Sequence, residues 1–360
     1  MNPAVTIIVL AALLTVPLAW ALPRQHVQDG IAVATLVVVA FLSPASALWL
    51  AMASTLTPLA MTLGERLGQR GLTVLLVGGA LLVSLIVSRV WEGPLWIGGA
   101  YFILRHLHVL IDWWMGRLEN PGVLRHVRYQ LFLPVIVAGP IHRFAHFERQ
   151  VARRRWDAPA FFTGAERALW GAAQAVILGN WLMSRLIVRT MRKTTEWDAF
   201  TQSWALSGLE WIKLYFTFAG LSSIALGIAL MMGLRLEENF NHPYVSRNLI
   251  EFWTRWHITL SQWCRDYVFQ PITALTRAPV LGVLAAMTAM GLWHEVSVYY
   301  ILWAVWQATG IVLARLAQRF PAPTTRAGRI GWMVAGTLSV FAWLSLTRPV
   351  ITLVTGGFAP

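Results

Sequence analysis

The stretch AMTAMGLWHEVSVYYILW, residues Ala286–Trp303, places an imidazole and a carboxylate, His294 and Glu295, in the middle of an otherwise apolar sequence. Apolar runs of this kind are typical of segments buried in a membrane. A polar group that enters hydrocarbon without a partner costs several kcal/mol, so ionisable residues at such depth are rare and more often functional than not. The stretch therefore predicts a membrane-embedded fold that carries a polar functional site.

The composition of the 360-residue chain indicates an integral membrane protein. Hydrophobic residues make up 57% of the sequence and charged residues 12%, with a mean hydropathy of +0.58. A soluble domain carries about 25% charged residues. We therefore expect an all-α, polytopic transmembrane helical bundle of about nine to eleven spans plus re-entrant or interfacial helices. It should form a single domain over residues 1–360.

The predicted spans follow from apolar runs of about 20 residues. They lie at about 4–22, 72–92, 95–115, 168–190, 204–233, 279–293, 296–317 and 330–347. Residues 31–61 are also apolar, but Pro44 and Pro58 interrupt them and predict two shorter helices. Residues 129–150 have too short an apolar core to cross a membrane, which indicates a re-entrant or interfacial element.

The net charge of +13 indicates membrane lipids as partners and gives no support for nucleic-acid binding. The basic residues cluster in short loops between apolar runs, as they do in loops on the cytoplasmic side of a membrane. A single cysteine, Cys264, excludes an internal disulfide. The run from Val5 to Leu22 has no positively charged start and no cleavage pattern, so we expect a retained first span.

A second unusual segment is NLIEFWTRWHITLSQWCRDYVF, residues Asn248–Phe269. Trp253, Trp256, Leu260, Trp263 and Tyr267 recur at steps of three and four, which predicts one aromatic helical face with His257 on its border. The helix could lie in the interface plane or form the wall of an internal polar cavity. His257 and His294 are 37 residues apart. If the apolar run between them returns through the bundle, both imidazoles face one cavity.

These segments resemble the membrane-bound O-acyltransferase family, in its bacterial branch of alginate O-acetyltransferases and D-alanyl transfer proteins of teichoic acids. The resemblance is carried by ENFNHPYVSRNLIEFWTRWHITLSQWCRDYVFQPI followed by GLWHEVSVYYILW. Upstream, YFILRHLHVLIDWWMGRLENP and AGPIHRFAHFERQ are similar to further family segments in the same order, so the resemblance covers about residues 95–315. It implies a multi-helix bundle with a central tunnel.

The resemblance implies an enzyme that moves an acyl group, with acetyl expected, from a cytoplasmic thioester to a hydroxyl of an extracytoplasmic polysaccharide or cell-wall polymer. The invariant histidine of the family maps onto His294 as general base, and the second signature position maps onto His257, a catalytic residue that would orient the acyl donor or stabilise the oxyanion. A hydroxyl is a poor nucleophile, so a positioned base must take its proton. A base must be neutral, which burial away from cations favours, so we expect His294 to be buried.

The residues expected to orient the donor or bind substrate lie beside these histidines. They are Trp253, Arg255, Trp256, Trp293, Glu295, Asn239 and Asn241. The resemblance further implies acetyl-CoA or an acyl carrier protein as co-substrate, with no bound cofactor or metal. It also implies a bacterial inner-membrane location and an extracytoplasmic esterase-like transferase or polymer-synthesis complex as partner. Thr217 and Ser223 stand where the branch has acids, and Glu295 where it has a small residue, which puts the acceptor and partner in question.

Two other function classes are compatible with single features of the sequence. His142 and His146 have the i, i+4 spacing of some metal ligands, but no adjacent His-His pair exists in the sequence, which disfavours a di-iron membrane enzyme. A transporter or channel component for the acyl donor or polymer, without bond chemistry of its own, remains the alternative. Such a protein should show paired repeats or matching broken helices in its two halves, and the sequence shows neither.

Overall fold

A computed structural model describes residues 2–90, 97–321 and 323–357. Throughout these ranges the secondary structure is helical and no strand is formed. The α-helices are α1 (Pro3–Ala21), α2 (Val27–Leu42), α3 (Pro44–Arg66), α4 (Arg70–Val90), α5 (Gly99–Trp114), α6 (Gly122–Gln130), α7 (Phe144–Arg153), α8 (Ala158–Ala173), α9 (Ser184–Lys193), α10 (Ala199–Met231), α11 (Leu249–Arg255), α12 (Ile258–Cys264), α13 (Gln270–Thr276), α14 (Pro279–His294), α15 (Val298–Ala317) and α16 (Arg326–Val354). Two π-helical segments, Gln174–Met183 and Arg265–Phe269, join α8 to α9 and α12 to α13.

The predicted all-α, multi-pass membrane fold is confirmed. Within the described ranges, seven helical stretches are long and apolar enough to span a membrane: Pro3–Ala21, Pro44–Arg66, Arg70–Arg89, Ala158–Lys193, Ala199–Met231, Val298–Ala317 and Arg326–Val354. Helices α2 and α14 are apolar but shorter. The predicted span ends at residues 91, 92, 95 and 96 lie outside the described residues. The central tunnel stays a prediction.

Helix starts follow from local capping chemistry. Ser43 accepts from the Ser46 amide at 3.3 Å and precedes Pro44 at the first helical position of α3. Proline fits there because its missing N–H has no partner in the first turn anyway. The predicted interruption at Pro44 is therefore confirmed. Ser297 caps α15 in the same manner, accepting from the Tyr300 amide at 3.4 Å.

The predicted interruption at Pro58 is wrong, because α3 continues through that residue to Arg66. A proline inside a helix leaves the carbonyl four residues earlier without its amide donor. Here that carbonyl belongs to Ser54, and His126 Nδ1 donates to it at 2.8 Å. Because His126 is fully buried, this hydrogen bond satisfies a group that would otherwise be buried without a donor.

Residues 129–150 contain no helix of span length, although the whole segment is described. Helix α6 ends at Gln130, one 3₁₀ turn covers Leu133–Val135, and α7 begins only at Phe144. The intervening backbone is buried, and the side chain of Tyr129 helps to hold it. The Tyr129 hydroxyl donates to the His142 carbonyl at 2.5 Å and lies 2.9 Å from His108 Nε2.

The contacts divide the chain into two compact units. The first comprises residues 1–172 and 221–237, and the second residues 173–220 and 238–360, so the boundary falls inside α10. The prediction of a single domain stays a prediction. Both histidines of the expected site, His257 and His294, belong to the second unit.

Within the second unit, α14 and α15 form an antiparallel pair with a very close approach. A Cβ placed on Gly291 would lie 2.7 Å from the Tyr300 carbonyl oxygen, so only glycine fits there without movement of a helix. This contact lies one turn before His294 and therefore helps to fix the end of α14.

Candidate functional site

The Trp-rich segment Asn248–Phe269 is not one continuous helix, so the prediction of a single aromatic helical face is wrong. Helix α11 ends at Arg255 and α12 begins at Ile258, with Trp256 and His257 between them. Trp256 has an extended backbone, with φ −103° and ψ 127°. His257 therefore lies at a junction between two short helices, outside the candidate spans.

Hydrogen bonds to the preceding residues 239–241 account for the break. The Asn241 amide donates to the Arg255 carbonyl at 2.9 Å, and the Ile258 amide donates to the Asn239 carbonyl at 2.9 Å. In a continuous helix these groups of Arg255 and Ile258 would bond to residues four positions along the chain. The upstream segment takes them instead, and the helix cannot continue.

His257 adopts the left-handed backbone conformation, with φ 41° and ψ 54°. For a residue other than glycine this conformation costs roughly 1–2 kcal/mol, and it persists where the surroundings fix the backbone. Trp256 pairs with Phe240 in an isolated antiparallel bridge. On the other side, Thr259 Oγ1 donates to Asn239 Oδ1 at 2.6 Å. These contacts hold the His257 ring inside the protein, where the residue is 2% exposed.

His294 is the last residue of α14, and the chain turns extended at Glu295 before α15 begins. Its ring stacks on Tyr300 with centroids 5.5 Å apart and meets Trp293 edge-on at 4.7 Å. The residue is exposed, so the expectation that His294 is buried is wrong. Its position explains the exposure, because neighbouring helices cover the last side chain of a helix less completely than one in the middle of a helix.

His257 and His294 line the same cavity, whose volume is about 320 Å³. That volume lies at the low end of the range for small-molecule sites. The other aromatic lining residues are Trp211, Phe218, Trp253, Trp256, Tyr299, Tyr300 and Trp303. The polar ones are Ser207, Glu210, Thr347 and Arg348, and the apolar remainder is Leu214, Leu260 and Met290.

Two further residues expected at the site, Trp253 and Trp256, also line this cavity. Trp293 is not among the lining residues, but its ring contacts both histidines, with centroids 5.8 Å from His257 and 4.7 Å from His294. It therefore helps to hold both imidazoles in position.

The other expected residues do not line the cavity. Arg255 forms an ion pair with Glu251 at 2.8 Å, and Asn239 and Asn241 hold the backbone around His257. Glu295 is exposed and does not line the cavity. These four residues shape or flank the site without lining it.

Sequence reasoning missed Glu210 and Arg348, which the fold brings together at the cavity. Arg348 Nη1 lies 2.6 Å from Glu210 Oε2. Glu210 lies in α10 and Arg348 in α16, both candidate spans. A charged residue inside an apolar span was the available signal, since such residues mark functional positions by default.

Two properties of the lining bear on its chemistry. Trp253 is 7% exposed, and its Nε1 has no hydrogen-bond partner among the described residues, so this donor can serve a ligand. Burial lowers the pKa of His257 well below its ordinary value, and nearby His294 lowers it further. The His257 ring is therefore neutral at physiological pH.

His142 and His146 have different partners, both within the first unit. His142 Nδ1 lies 3.2 Å from the Pro140 carbonyl, while His146 Nδ1 lies 2.6 Å from Glu237 Oε1. The i, i+4 spacing thus serves two separate contacts in this structure.

Comparison with known proteins matches this chain to one family model and to relatives that are named as acyl-transferring enzymes. Residues 114–349 match the model of MBOAT, the membrane-bound O-acyltransferase family. The chain is 29% identical over 255 residues to probable alginate O-acetylase AlgI of Pseudomonas aeruginosa, covering 69% of this chain and 48% of that protein. It is 30% identical to the Azotobacter vinelandii protein of the same name, covering 69% and 50%.

Teichoic acid D-alanyltransferase of Bacillus subtilis is 29% identical over 231 residues, covering 59% of this chain and 57% of that protein. The chain thus spans about half the length of the curated relatives it matches. The matched family region includes the whole segment from Asn239 to His294.

Proposed function

Because this chain belongs to the membrane-bound O-acyltransferase family, we propose that it transfers an acyl group, with acetyl the expected one, from a thioester to a hydroxyl. The observation that carries the proposal is the shared cavity of His257 and His294. An imidazole that lines a cavity of small-molecule size is what such a reaction requires.

His294 is the proposed general base. A ring nitrogen of His294 takes the proton of the acceptor hydroxyl as its oxygen attacks the thioester carbonyl. The tetrahedral intermediate then collapses, the carbon–sulfur bond breaks, and the thiolate leaves with the proton from the imidazolium. His294 suits this role because it lines the cavity, where an acceptor hydroxyl can reach its ring, and because its ring stacks on Tyr300.

His257 and Trp253 are proposed to position the donor. The Nε1 donor of Trp253 can hydrogen-bond to the thioester carbonyl oxygen, where negative charge develops during attack. The backbone conformation of His257 is fixed at the junction of two helices, so its ring forms a polar surface of constant position beside the acyl group. Arg255, which the sequence also suggested for this role, is occupied by Glu251.

The proposed setting is the bacterial inner membrane. Acetyl-CoA or an acyl carrier protein would supply the acyl group from the cytoplasm, and the acceptor would be an extracytoplasmic polysaccharide or cell-wall polymer. The names of the relatives, which refer to alginate and teichoic acid, support a polymer acceptor. An esterase-like transferase or a polymer-synthesis complex is the proposed partner.

Sealed proteoliposomes can separate this enzyme from the alternative, a transporter without bond chemistry. They are loaded with acetyl-CoA that carries one label on acetyl and another on coenzyme A, and a hydroxyl acceptor is added outside. Transfer predicts an oxygen ester that carries only the acetyl label, with free coenzyme A remaining. A transporter moves both labels together, and that result would contradict the proposal. The histidine variant for this assay is His294→Ala, and His26→Ala is its matched control, because His26 is an exposed histidine that does not line the cavity.

A further inference from the structure

The Glu210–Arg348 pair distinguishes one side of the cavity from the rest. Apart from the two histidines, Glu210 and Arg348 are the lining residues that carry a carboxylate or a basic group. The side chains are 47% and 49% exposed, so both charges face open space while remaining in contact at 2.6 Å. Both lie in apolar candidate spans. An ionisable residue in such a span is energetically costly and therefore indicates a functional position.

The chemistry of this pair favours an uncharged hydroxyl group as its ligand. A carboxylate only accepts hydrogen bonds and a guanidinium only donates them, whereas a hydroxyl does both. A hydroxyl can therefore bridge Glu210 and Arg348. An anionic group would gain little from Arg348, because Glu210 already neutralises its charge, and the Glu210 carboxylate would repel it. The neighbouring Ser207 and Thr347 add uncharged polar groups.

Aromatic rings connect this polar side to the proposed base. Tyr299 lies within electrostatic range of both Glu210 and Arg348. Its ring is 5.4 Å from that of Tyr300, which in turn stacks on His294. A ligand held at the ion pair therefore lies along the same wall as His294.

We infer that Glu210 and Arg348 form an acceptor subsite that binds an uncharged, hydroxyl-bearing group of the sugar type and selects it over an anionic one. This inference rests on the proposed function, since it assigns the acceptor side of the same cavity. The thioester donor then occupies the part of the cavity beside Trp253.

Two variants with opposite charge effects test the subsite. The probes are a neutral β-1,4-linked glucose tetrasaccharide and an acidic β-1,4-linked mannuronate tetrasaccharide, with acetyl-CoA as donor. Acceptor KM is measured in proteoliposomes, and acceptor dissociation constants are measured by calorimetry without donor. E210Q leaves Arg348 uncompensated, so preference should shift towards the acidic probe. R348Q leaves Glu210 uncompensated, so preference should shift further towards the neutral one.

Each variant loses one hydrogen bond to a charged group, so the neutral acceptor should bind about tenfold or more weakly. The KM for acetyl-CoA should change by less than about twofold, because the donor does not touch the pair. D29N is the matched control. Asp29 forms a partly exposed ion pair with Arg128 at the same 2.6 Å distance and does not line the cavity, so its variant should leave both acceptor constants unchanged.

The outcomes separate failure of the subsite from failure of the proposed reaction. If both variants shift acceptor preference in the same direction, or raise the KM for acetyl-CoA instead, the subsite is refuted while transfer stands. If the wild-type protein binds neither probe, the subsite is also refuted. Opposite shifts in the dissociation constants without any ester product would support the subsite and refute the proposed reaction.

Discussion

The left-handed backbone at His257 makes a quantitative prediction about the stability of two variants. With φ at 41°, any residue that carries a Cβ is strained at this position, by roughly 1–2 kcal/mol. His257→Gly and His257→Ala both remove the imidazole and differ from each other by one methyl group. Glycine removes the strain and alanine retains it. We therefore expect the glycine variant to be more stable than the alanine variant by about 1 kcal/mol.

The matched control is Gln262, an exposed residue within helix α12. There the order should reverse, with alanine more stable than glycine by about 0.5–1 kcal/mol, because glycine loses more backbone freedom in a helix. The difference at 257 corresponds to an unfolding midpoint higher for glycine by about 2 °C. Equal stability at position 257, or alanine above glycine as at 262, would refute the assignment of strain.

The assay can use the single cysteine of the chain. Cys264 is buried at the end of α12, so a thiol-reactive fluorogenic dye labels it only when this region unfolds. Heating each variant in detergent with the dye gives the midpoint directly. Both variants at position 257 should also impair acyl transfer, because neither supplies a ring beside the donor.

Two further predictions concern positions outside the lining of the cavity. His126→Ala leaves the Ser54 carbonyl buried without its donor and should lower the free energy of unfolding by about 1–3 kcal/mol. Pro58→Ala restores a backbone amide that can donate to the same carbonyl, so a double-mutant cycle of the two substitutions should show a coupling energy of about 1 kcal/mol. Simple additivity would contradict this role of His126. Gly291→Ala should lower stability by about 1–3 kcal/mol and reduce transfer, because its Cβ meets a carbonyl of α15 at 2.7 Å. Gly331→Ala, which meets open space, is the control, and equal effects at both glycines would exclude a specific role for the close approach.

Local sequence patterns predicted the helical membrane fold well, because hydrophobic run length and capping residues act within a few neighbours. The interruption at Pro44 is an example, since Ser43 and Pro44 form a helix start by themselves. Pro58 is the counterexample. The donor that compensates for its missing amide is His126, which lies far away along the chain and could not be inferred from the local pattern.

The candidate site was predicted in the same uneven way. The sequence motifs identified His257 and His294 together with Trp253 and Trp256, and all four line one cavity. The helix break beside His257 was missed, because it depends on hydrogen bonds from residues 239–241 rather than on aromatic periodicity. Glu210 and Arg348 were missed because only the packing of α10 and α16 against the cavity brings them together.

Acyl transfer by His294→Ala, measured alongside the affinity of this variant for the donor, tests the role of the shared cavity most directly. Acetyl-CoA binding is measured by calorimetry on the purified variant, and ester formation is measured after reconstitution. Removal of a general base typically costs about 10²–10⁴-fold in rate. We expect a loss of that size with a dissociation constant for acetyl-CoA that changes by less than about threefold, since the base acts on the acceptor. Ester formation at the wild-type rate by His294→Ala would contradict the assignment of the reaction to this cavity.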